Sequence, residues 1–256
     1  MRRGALAVLF LAALPALLPA GDGQQMFAPL GDFKLESGAI IRDCRVGYRT
    51  FGRMAGDRSN VVLVPTWFAG TSAELAPLAG PGRLLDTAKY HVVIVDCLAN
   101  GVSTSPSNSP RQPRLKFPEI TIRDMVASQH RLLTEVLHVS RLKAVVGISM
   151  GGMQVFEWMA SRPGLMDKAV PIVGSPRLAP YDLLLWQTEI EAIRGDRGFK
   201  GGRYARQPAR PVLYGLTELL FTTPERYSGG TRREEVVSSF ARGAQAQPFD
   251  ANDRIR

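Results

Sequence analysis

The chain has 256 residues, of which 45% are hydrophobic, and a formal net charge of +9 at pH 7. This length and apolar content fit a globular protein with a sizeable core, arranged as one large domain or two smaller ones. The basic residues are scattered along the chain rather than clustered, which argues against a nucleic-acid-binding protein and favours a solvated basic surface.

The first 20 residues resemble a secretory signal peptide. Arg2 and Arg3 form a basic start, the apolar run from Ala5 to Leu18 follows, and Ala20 offers a small residue for cleavage. The alternative is an uncleaved membrane anchor, for which the apolar run is short. We therefore expect a secreted or periplasmic protein without a stable membrane span.

Short apolar runs predict the strands, and longer amphipathic segments predict the helices. The predicted strands are Phe33–Leu35, Ile40–Tyr48, Val61–Val64, Val92–Val95 and Ala169–Val173. The predicted helices cover residues 121–139, 153–160, 181–193 and 232–241, with a polar lead-in at residues 21–32 and a long loop at residues 98–118. Strands that alternate with helices predict a mostly parallel sheet covered on both faces, in a core that spans residues 21–180.

The two cysteines, Cys44 and Cys97, both lie near the ends of predicted strands. A disulfide between them is one interpretation, and it would suit an oxidising compartment. Two buried free thiols are the other interpretation, which we favour because free cysteines are among the most buried residues.

The most informative stretch is Gly147-Ile-Ser-Met-Gly151, which lies between the apolar run Ala144–Val146 and a helix-like segment. A strand that turns sharply into a helix presents one side chain at the edge of a sheet, and small residues must flank the turn. The pattern predicts Ser149 as an exposed nucleophile, with the backbone N–H of Met150 ready to bind an oxyanion. A chance match in a loop is the alternative.

Several stretches together resemble the homoserine O-acetyltransferase family of α/β-hydrolases. They are Asn100–Asn108, Phe117-Pro118, Gly147–Met153 with Glu157-Trp158, and Gly201–Tyr204. The resemblance covers most of residues 33–256. It implies an α/β-hydrolase fold, in which residues 181–256 belong to a helical lid.

The resemblance also implies acyl transfer through an acyl-enzyme intermediate, with a Ser–Asp–His triad. Ser149 matches the nucleophile, the N–H of Met150 matches one oxyanion donor, and Phe68 occupies the position of the second donor. The implied partner is a small-molecule ester or acyl donor. We expect no cofactor and no metal, because the sequence has neither a metal-ligand cluster nor a phosphate-binding loop.

The chain departs from the family's pattern at the triad. In this fold the order is Ser, then Asp or Glu, then His, but His91, His130 and His138 all precede Ser149. The triad Asp and His are therefore not identified. The segment 250–256 resembles the end of the family's lid, so we expect Asp250 and Asp253 at a helix start or a solvated end. We also expect a truncated member that lacks the last strands and is slow because Ser149 has no base.

Three functions follow as hypotheses. The chain is an esterase, a homoserine O-acetyltransferase-like acyltransferase, or a catalytically inactive binding module that kept the first half of the fold. Export favours the esterase, because an exported protein does not normally meet acetyl-CoA. The sequence leaves the acyl group, the acceptor and the oligomeric state open.

Overall fold

The computed structural model describes residues 21–245 and 249–256, so the predicted signal peptide at residues 1–20 lies outside the described residues. The strands are β1 (Gly21–Asp22), β2 (Met26–Lys34), β3 (Ile40–Gly52), β4 (Val61–Pro65), β5 (Ala79–Gly80), β6 (Leu85–Asp86), β7 (His91–Val95), β8 (Ala144–Ile148) and β9 (Ala169–Ile172). The α-helices are α1 (Ser72–Leu75), α2 (Ile122–Arg131), α3 (Met150–Ser161), α4 (Pro180–Gly195), α5 (Arg210–Phe221), α6 (Pro224–Gly230), α7 (Val236–Gly243) and α8 (Ala251–Arg254).

A seven-stranded sheet forms the centre of the structure, with the strand order β1-β3-β7-β4-β8-β9 and with β2 paired to β3. Strands β7, β4, β8 and β9 pair in parallel, whereas β1, β2 and β7 pair antiparallel to β3. Every residue of β4 and β7 is buried, which explains why both strands are continuous apolar runs. The α/β fold with a mostly parallel sheet is therefore confirmed.

Apolar side chains cover both faces of the sheet, because alternate residues of a strand point to opposite sides. Leu63 and Val93 pack on the face that carries α2 and α3, where Trp158 is fully buried. Val64 and Ile94 belong to the cluster on the other face. The carboxyl ends of the parallel strands meet at one edge, which is where ligands bind in open α/β sheets.

The N-terminal part of the prediction was wrong. Residues 21–32 are not a polar lead-in but form β1 and most of β2, which pairs with β3 from Met26 opposite Tyr48 to Lys34 opposite Ile40. The register shifts on both sides of Gly31, whose φ is 64°. Such a bulge breaks the alternation of apolar and polar residues by which a strand is recognised in a sequence.

Several helix boundaries also differ from the prediction. The predicted helix at residues 121–139 is α2, capped by Thr121 and Asp124, followed by a π-helical turn at Leu132–Val136. The helix predicted at residues 232–241 is a 3₁₀ turn followed by α7. The sequence did not predict α1, α5 or α6, and it indicated α8 only as a helix start near Asp250. Most of these are short, and α5 and α6 carry a proline in their first turn, which a periodicity argument treats as a break.

Cys44 and Cys97 are free and buried, as we favoured. Burial raises the pKa of the Cys44 thiol to about 12 and that of the Cys97 thiol to about 11. Within residues 21–245 and 249–256, no helix is both long enough and apolar enough to cross a membrane. The division into a core and a lid at residue 180 stays a prediction.

Candidate active site

Ser149 occupies the tight turn between β8 and α3. Its backbone lies at φ 57° and ψ −121°, a strained conformation for a residue with a side chain. The Ser149 N–H donates to the carbonyl oxygen of Ile172 (2.9 Å), and the Ser149 carbonyl oxygen accepts from the Met153 N–H (3.1 Å). Hydrogen bonds to β9 and α3 therefore hold the strained turn, and the serine side chain is presented at the edge of the sheet.

The glycines of the motif are required by close backbone contacts. A Cβ atom on Gly147 would lie 2.1 Å from the carbonyl oxygen of Gly151. A Cβ atom on Gly151 would lie 2.7 Å from the carbonyl oxygen of Pro65, at the end of β4. Backbone thus packs against backbone both within the elbow and between the elbow and the end of β4, which a larger residue would prevent.

The loop after β4 faces the elbow across a cavity. This loop, residues 66–71, contains Ala69 at φ 60° and a turn in which the Gly70 N–H donates to the carbonyl oxygen of Trp67 (3.1 Å). Neither the Phe68 N–H nor the Met150 N–H donates to an acceptor among the described residues. Met150 is the first residue of α3, where a helix leaves its N–H groups free. Both N–H groups are therefore available to an oxyanion.

Asp96, which follows β7, fixes the far end of this loop. Its buried carboxylate accepts hydrogen bonds from the Ser72 N–H (2.7 Å), the Ser72 hydroxyl (2.7 Å) and the Asn100 side-chain amide (3.1 Å). The same amide donates to the carbonyl oxygen of Gly70 (3.0 Å). Asp96 was missed in the sequence, although an acidic residue directly after a buried strand is a signal for such a role. Asn100 belongs to the stretch that carried the family resemblance.

The cavity between the elbow and the helices after residue 180 has a volume of about 540 Å³. Ser149, Met150 and Phe68 line it, so the three predicted site residues come together. Its apolar wall includes Trp67, Met153, Leu178, Trp186, Leu220 and Phe221. A cavity of this size and character suits a small, largely apolar molecule.

Glu189 and Arg254 are the ionisable side chains that line this cavity among the described residues. They form a bidentate ion pair with N···O distances of 2.7 and 3.1 Å, and their side chains are 4% and 9% exposed. The Arg254 guanidinium also lies 5.2 Å from the centre of the Phe68 ring, and the Trp186 ring packs edge-on against Phe68 at 5.0 Å. No local sequence pattern predicts this pair.

None of the chain's three histidines lines the cavity. The Nδ1 atom of His91 lies 2.9 Å from the carbonyl oxygen of Gly52, and the His130 ring packs beside Trp158. Burial lowers the pKa of both imidazoles. The carbonyl oxygen of His138 accepts a hydrogen bond from Arg58. No imidazole of this chain is therefore placed to act as a base for Ser149.

Asp250 and Asp253 also lie off the cavity wall. Asp250 caps α8, accepting from the Asn252 N–H (2.9 Å) and the Tyr204 hydroxyl (2.6 Å), as expected for a helix start. Asp253 is 4% exposed, so the alternative expectation of a solvated end was wrong. It accepts hydrogen bonds from the N–H (2.8 Å) and hydroxyl (2.6 Å) of Ser107, and burial raises its pKa to about 7. Among the residues that the structure describes, no group of acidic, histidine or cysteine side chains is arranged to hold a metal ion.

A mostly parallel sheet, a serine in a strained strand-to-helix turn and a cavity before it define an α/β-hydrolase type of site. Residues 61–255 match the model of the alpha/beta hydrolase family, to which the chain belongs. The chain is 37% identical over 240 residues to an ethyl acetate hydrolase of Pseudomonas veronii, across 88% of this chain and 68% of that protein. It is 34% identical over 218 residues to a homoserine O-acetyltransferase of Caulobacter vibrioides, across 78% and 57%.

Among solved structures, the acetyl esterase MekB superposes with a TM-score of 0.84 at 32% identity, covering 91% of this chain and 71% of that one. The resemblance noted in the sequence is thereby confirmed, because the relatives include both homoserine O-acetyltransferases and esterases. The chain spans about half to two thirds of the length of the curated relatives it matches.

Proposed function

We propose that the protein to which this chain belongs hydrolyses a small neutral carboxylic ester through Ser149. The observation that carries the proposal is the strained elbow, which presents Ser149 to a largely apolar cavity beside two free backbone N–H groups. The esterases among the relatives support the reaction class.

In the proposed reaction, the Ser149 hydroxyl oxygen attacks the ester carbonyl carbon and gives its proton to a base. The carbonyl oxygen becomes an oxyanion that accepts hydrogen bonds from the N–H groups of Phe68 and Met150. Collapse of this intermediate breaks the bond to the alcohol, which leaves with a proton, and Ser149 is left acylated. Water then takes the place of the alcohol: it gives a proton to the base and attacks the acyl carbon. Collapse of this second oxyanion breaks the bond to Ser149, which regains a proton, and releases the carboxylic acid.

Transfer to an amino-acid hydroxyl, as in the homoserine O-acetyltransferases, is the second candidate. An amino-acid acceptor brings an ammonium and a carboxylate group, and buried charges need partners of opposite charge. The ionisable groups on the described cavity wall, Glu189 and Arg254, are paired with each other in a bidentate arrangement. This pairing favours water as the acceptor. The binding-module hypothesis has no support among the relatives, whose names are those of enzymes.

Export of the protein also stays a prediction. Export favours water as the acceptor, because acetyl-CoA is an intracellular acyl donor. It rests on the basic start and apolar run within residues 1–20. N-terminal sequencing of the protein from its native source tests it. A mature N-terminus near residue 21 supports export, and a protein that retains Arg2 and Arg3 contradicts cleavage.

The function is tested with para-nitrophenyl acetate and added imidazole. The 256-residue chain places no imidazole at Ser149, so we expect slow hydrolysis alone and a saturable increase when imidazole supplies the base. Ser149→Ala should remove the increase. Ser161→Ala, at the other end of α3, is the matched control and should keep it.

Imidazole alone also cleaves para-nitrophenyl acetate, so the rate measured without protein is subtracted. A saturable, protein-dependent increase that survives Ser149→Ala would overturn the proposal. A fast acyl burst without imidazole would instead show that another group of this chain acts as the base. Formation of O-acetylhomoserine in preference to acetate when homoserine is added would favour the second candidate.

A further inference from the structure

Gln154 joins the two segments that carry the proposed oxyanion donors. It lies on α3, about one turn after the elbow, and it is fully buried. Its side-chain amide nitrogen donates to the carbonyl oxygen of Thr66 (3.2 Å) and to that of Met150 (3.1 Å). Thr66 begins the loop that contains Phe68, and Met150 is the other proposed donor. One amide group thus connects both sides of the oxyanion site.

The orientation of this amide is fixed by a chain of buried hydrogen bonds. An indole N–H can only donate, so the bond from Trp158 to the side-chain oxygen of Gln129 (2.9 Å) fixes which way Gln129 points. The Gln129 amide nitrogen must then donate to the side-chain oxygen of Gln154 (2.6 Å). The NH₂ group of Gln154 is left to face the two backbone carbonyls.

Other contacts close the space around these carbonyls. The Cys97 sulfur lies 3.2 Å from both the carbonyl oxygen of Thr66 and the side-chain oxygen of Gln154, and its single hydrogen is shared between these two acceptors. The thiol is fully protonated at neutral pH, because burial raises its pKa to about 11. Both hydrogens of the Gln154 side-chain amide are donated to backbone carbonyl oxygens that lie next to the candidate site. A side chain needed only for burial would not require partners on these two segments.

We propose that Gln154 is a positioning residue that sets the separation between the N–H groups of Phe68 and Met150. This inference rests on the proposed function of the site. Gln154 does not line the cavity, so it does not contact the ester. Gln154 therefore affects how well the oxyanion is stabilised. It changes the rate of acyl transfer rather than the affinity for the ester.

The test is Gln154→Met, which keeps the length of the side chain. It removes both donated hydrogen bonds, together with the one that the Gln154 oxygen accepts from Gln129. We expect kcat for the imidazole-dependent reaction to fall by about tenfold to a hundredfold, in line with a misplaced or lost oxyanion donor. KM should change by less than about twofold, because the cavity wall is intact.

Val155→Ala is the matched control, because Val155 is the next residue on α3, is also fully buried and has no polar side-chain atom. It should lower the melting temperature through a cavity and leave kcat unchanged. Amide NMR spectra give a readout that needs no turnover. The N–H resonances of Phe68 and Met150 should both shift in Gln154→Met and keep their positions in Val155→Ala.

The outcomes separate the two proposals. If the wild-type chain has no Ser149-dependent reaction, the proposed function fails, and the two amide resonances alone decide whether Gln154 positions these groups. If the reaction is present and Gln154→Met matches wild type in kcat, the inference about Gln154 is overturned. An equal loss of kcat in Val155→Ala would also overturn it, since general loosening of α3 would then be the cause.

Discussion

Two sides of the candidate site are held in place by different contacts. On the elbow side, which comprises residues 147–154 and the loop 66–71, backbone packs against backbone and one buried amide joins the segments. On the helical side, which comprises α4, α5 and residues 249–256, side chains make the contacts through Trp186, Glu189 and Arg254. Backbone packing allows almost no change of residue, whereas side-chain packing can be altered by single substitutions. We therefore propose that the chemistry belongs to the elbow side and the selectivity to the helical side.

The largest effect is expected on the elbow side, from Gly147→Ala. The new Cβ atom would lie 2.1 Å from the carbonyl oxygen of Gly151, a contact that only a backbone shift can relieve. We expect a loss of more than about 4 kcal/mol in the free energy of unfolding, which belongs to the severe end of single substitutions. Urea denaturation measures it. Gly164→Ala is the control, because a Cβ atom there meets nothing within 4 Å, and equal stability of the two variants would contradict the steric argument.

A smaller effect is expected on the helical side, from Arg254→Met. This change leaves the carboxylate of Glu189 buried without its partner and removes the guanidinium beside Phe68. We expect a loss of about 3 kcal/mol, because an uncompensated buried charge is costly. The double variant Glu189→Gln/Arg254→Met should recover most of that loss.

Thermal unfolding of the single and double variants measures this recovery, and Arg141→Met is the control. Arg141 forms an ion pair with Asp167 at the same 2.7 Å distance, but its side chain is 63% exposed. A surface pair contributes little, so Arg141→Met should remain close to wild type. A double variant as unstable as Arg254→Met would show that the buried charge is not the cause.

The smallest effect depends on pH and concerns how residues 249–256 attach to the loop at residues 98–118. The pKa of Asp253 is raised from 3.8 to about 7, so folding favours its protonated form. The folded state binds the extra proton between these values, and stability should therefore fall as pH rises through this window. Asp253→Asn keeps a partner for Ser107 but cannot titrate.

Melting temperatures of wild type and Asp253→Asn at several pH values measure the contribution as a difference. The wild type should lose up to about 3 kcal/mol relative to the variant between about pH 4 and pH 7, at about 1.4 kcal/mol for each unit of the pKa difference. Carboxylates with lowered pKa values, such as Asp167, are common to both proteins and cancel in this comparison. Parallel pH profiles would contradict a titrating Asp253.

The sequence was sufficient where the determinants are local. Gly147, Ser149 and Gly151 define the elbow within five residues, and the buried strands β4 and β7 are recognised by their apolar runs. It was not sufficient where partners are distant in the chain. Glu189 and Arg254 are separated by 65 positions, and no local pattern indicates that they meet. Similarly, only the end of β2 was predicted, at Phe33–Leu35, because the bulge at Gly31 interrupts the alternation that identifies a strand.

The placement of the tryptophans has a practical consequence for spectroscopy. Of the three tryptophans, Trp67 and Trp186 line the cavity, whereas Trp158 lies outside it, fully buried against Gln129 of α2. Two of the tryptophans that contribute to the intrinsic fluorescence, Trp67 and Trp186, therefore lie at the cavity, and the emission of Trp158 does not depend on contact with a ligand there. A nitroaromatic ligand that enters the cavity would quench the first two by contact, so occupancy can be titrated optically, without a base, a label or any turnover.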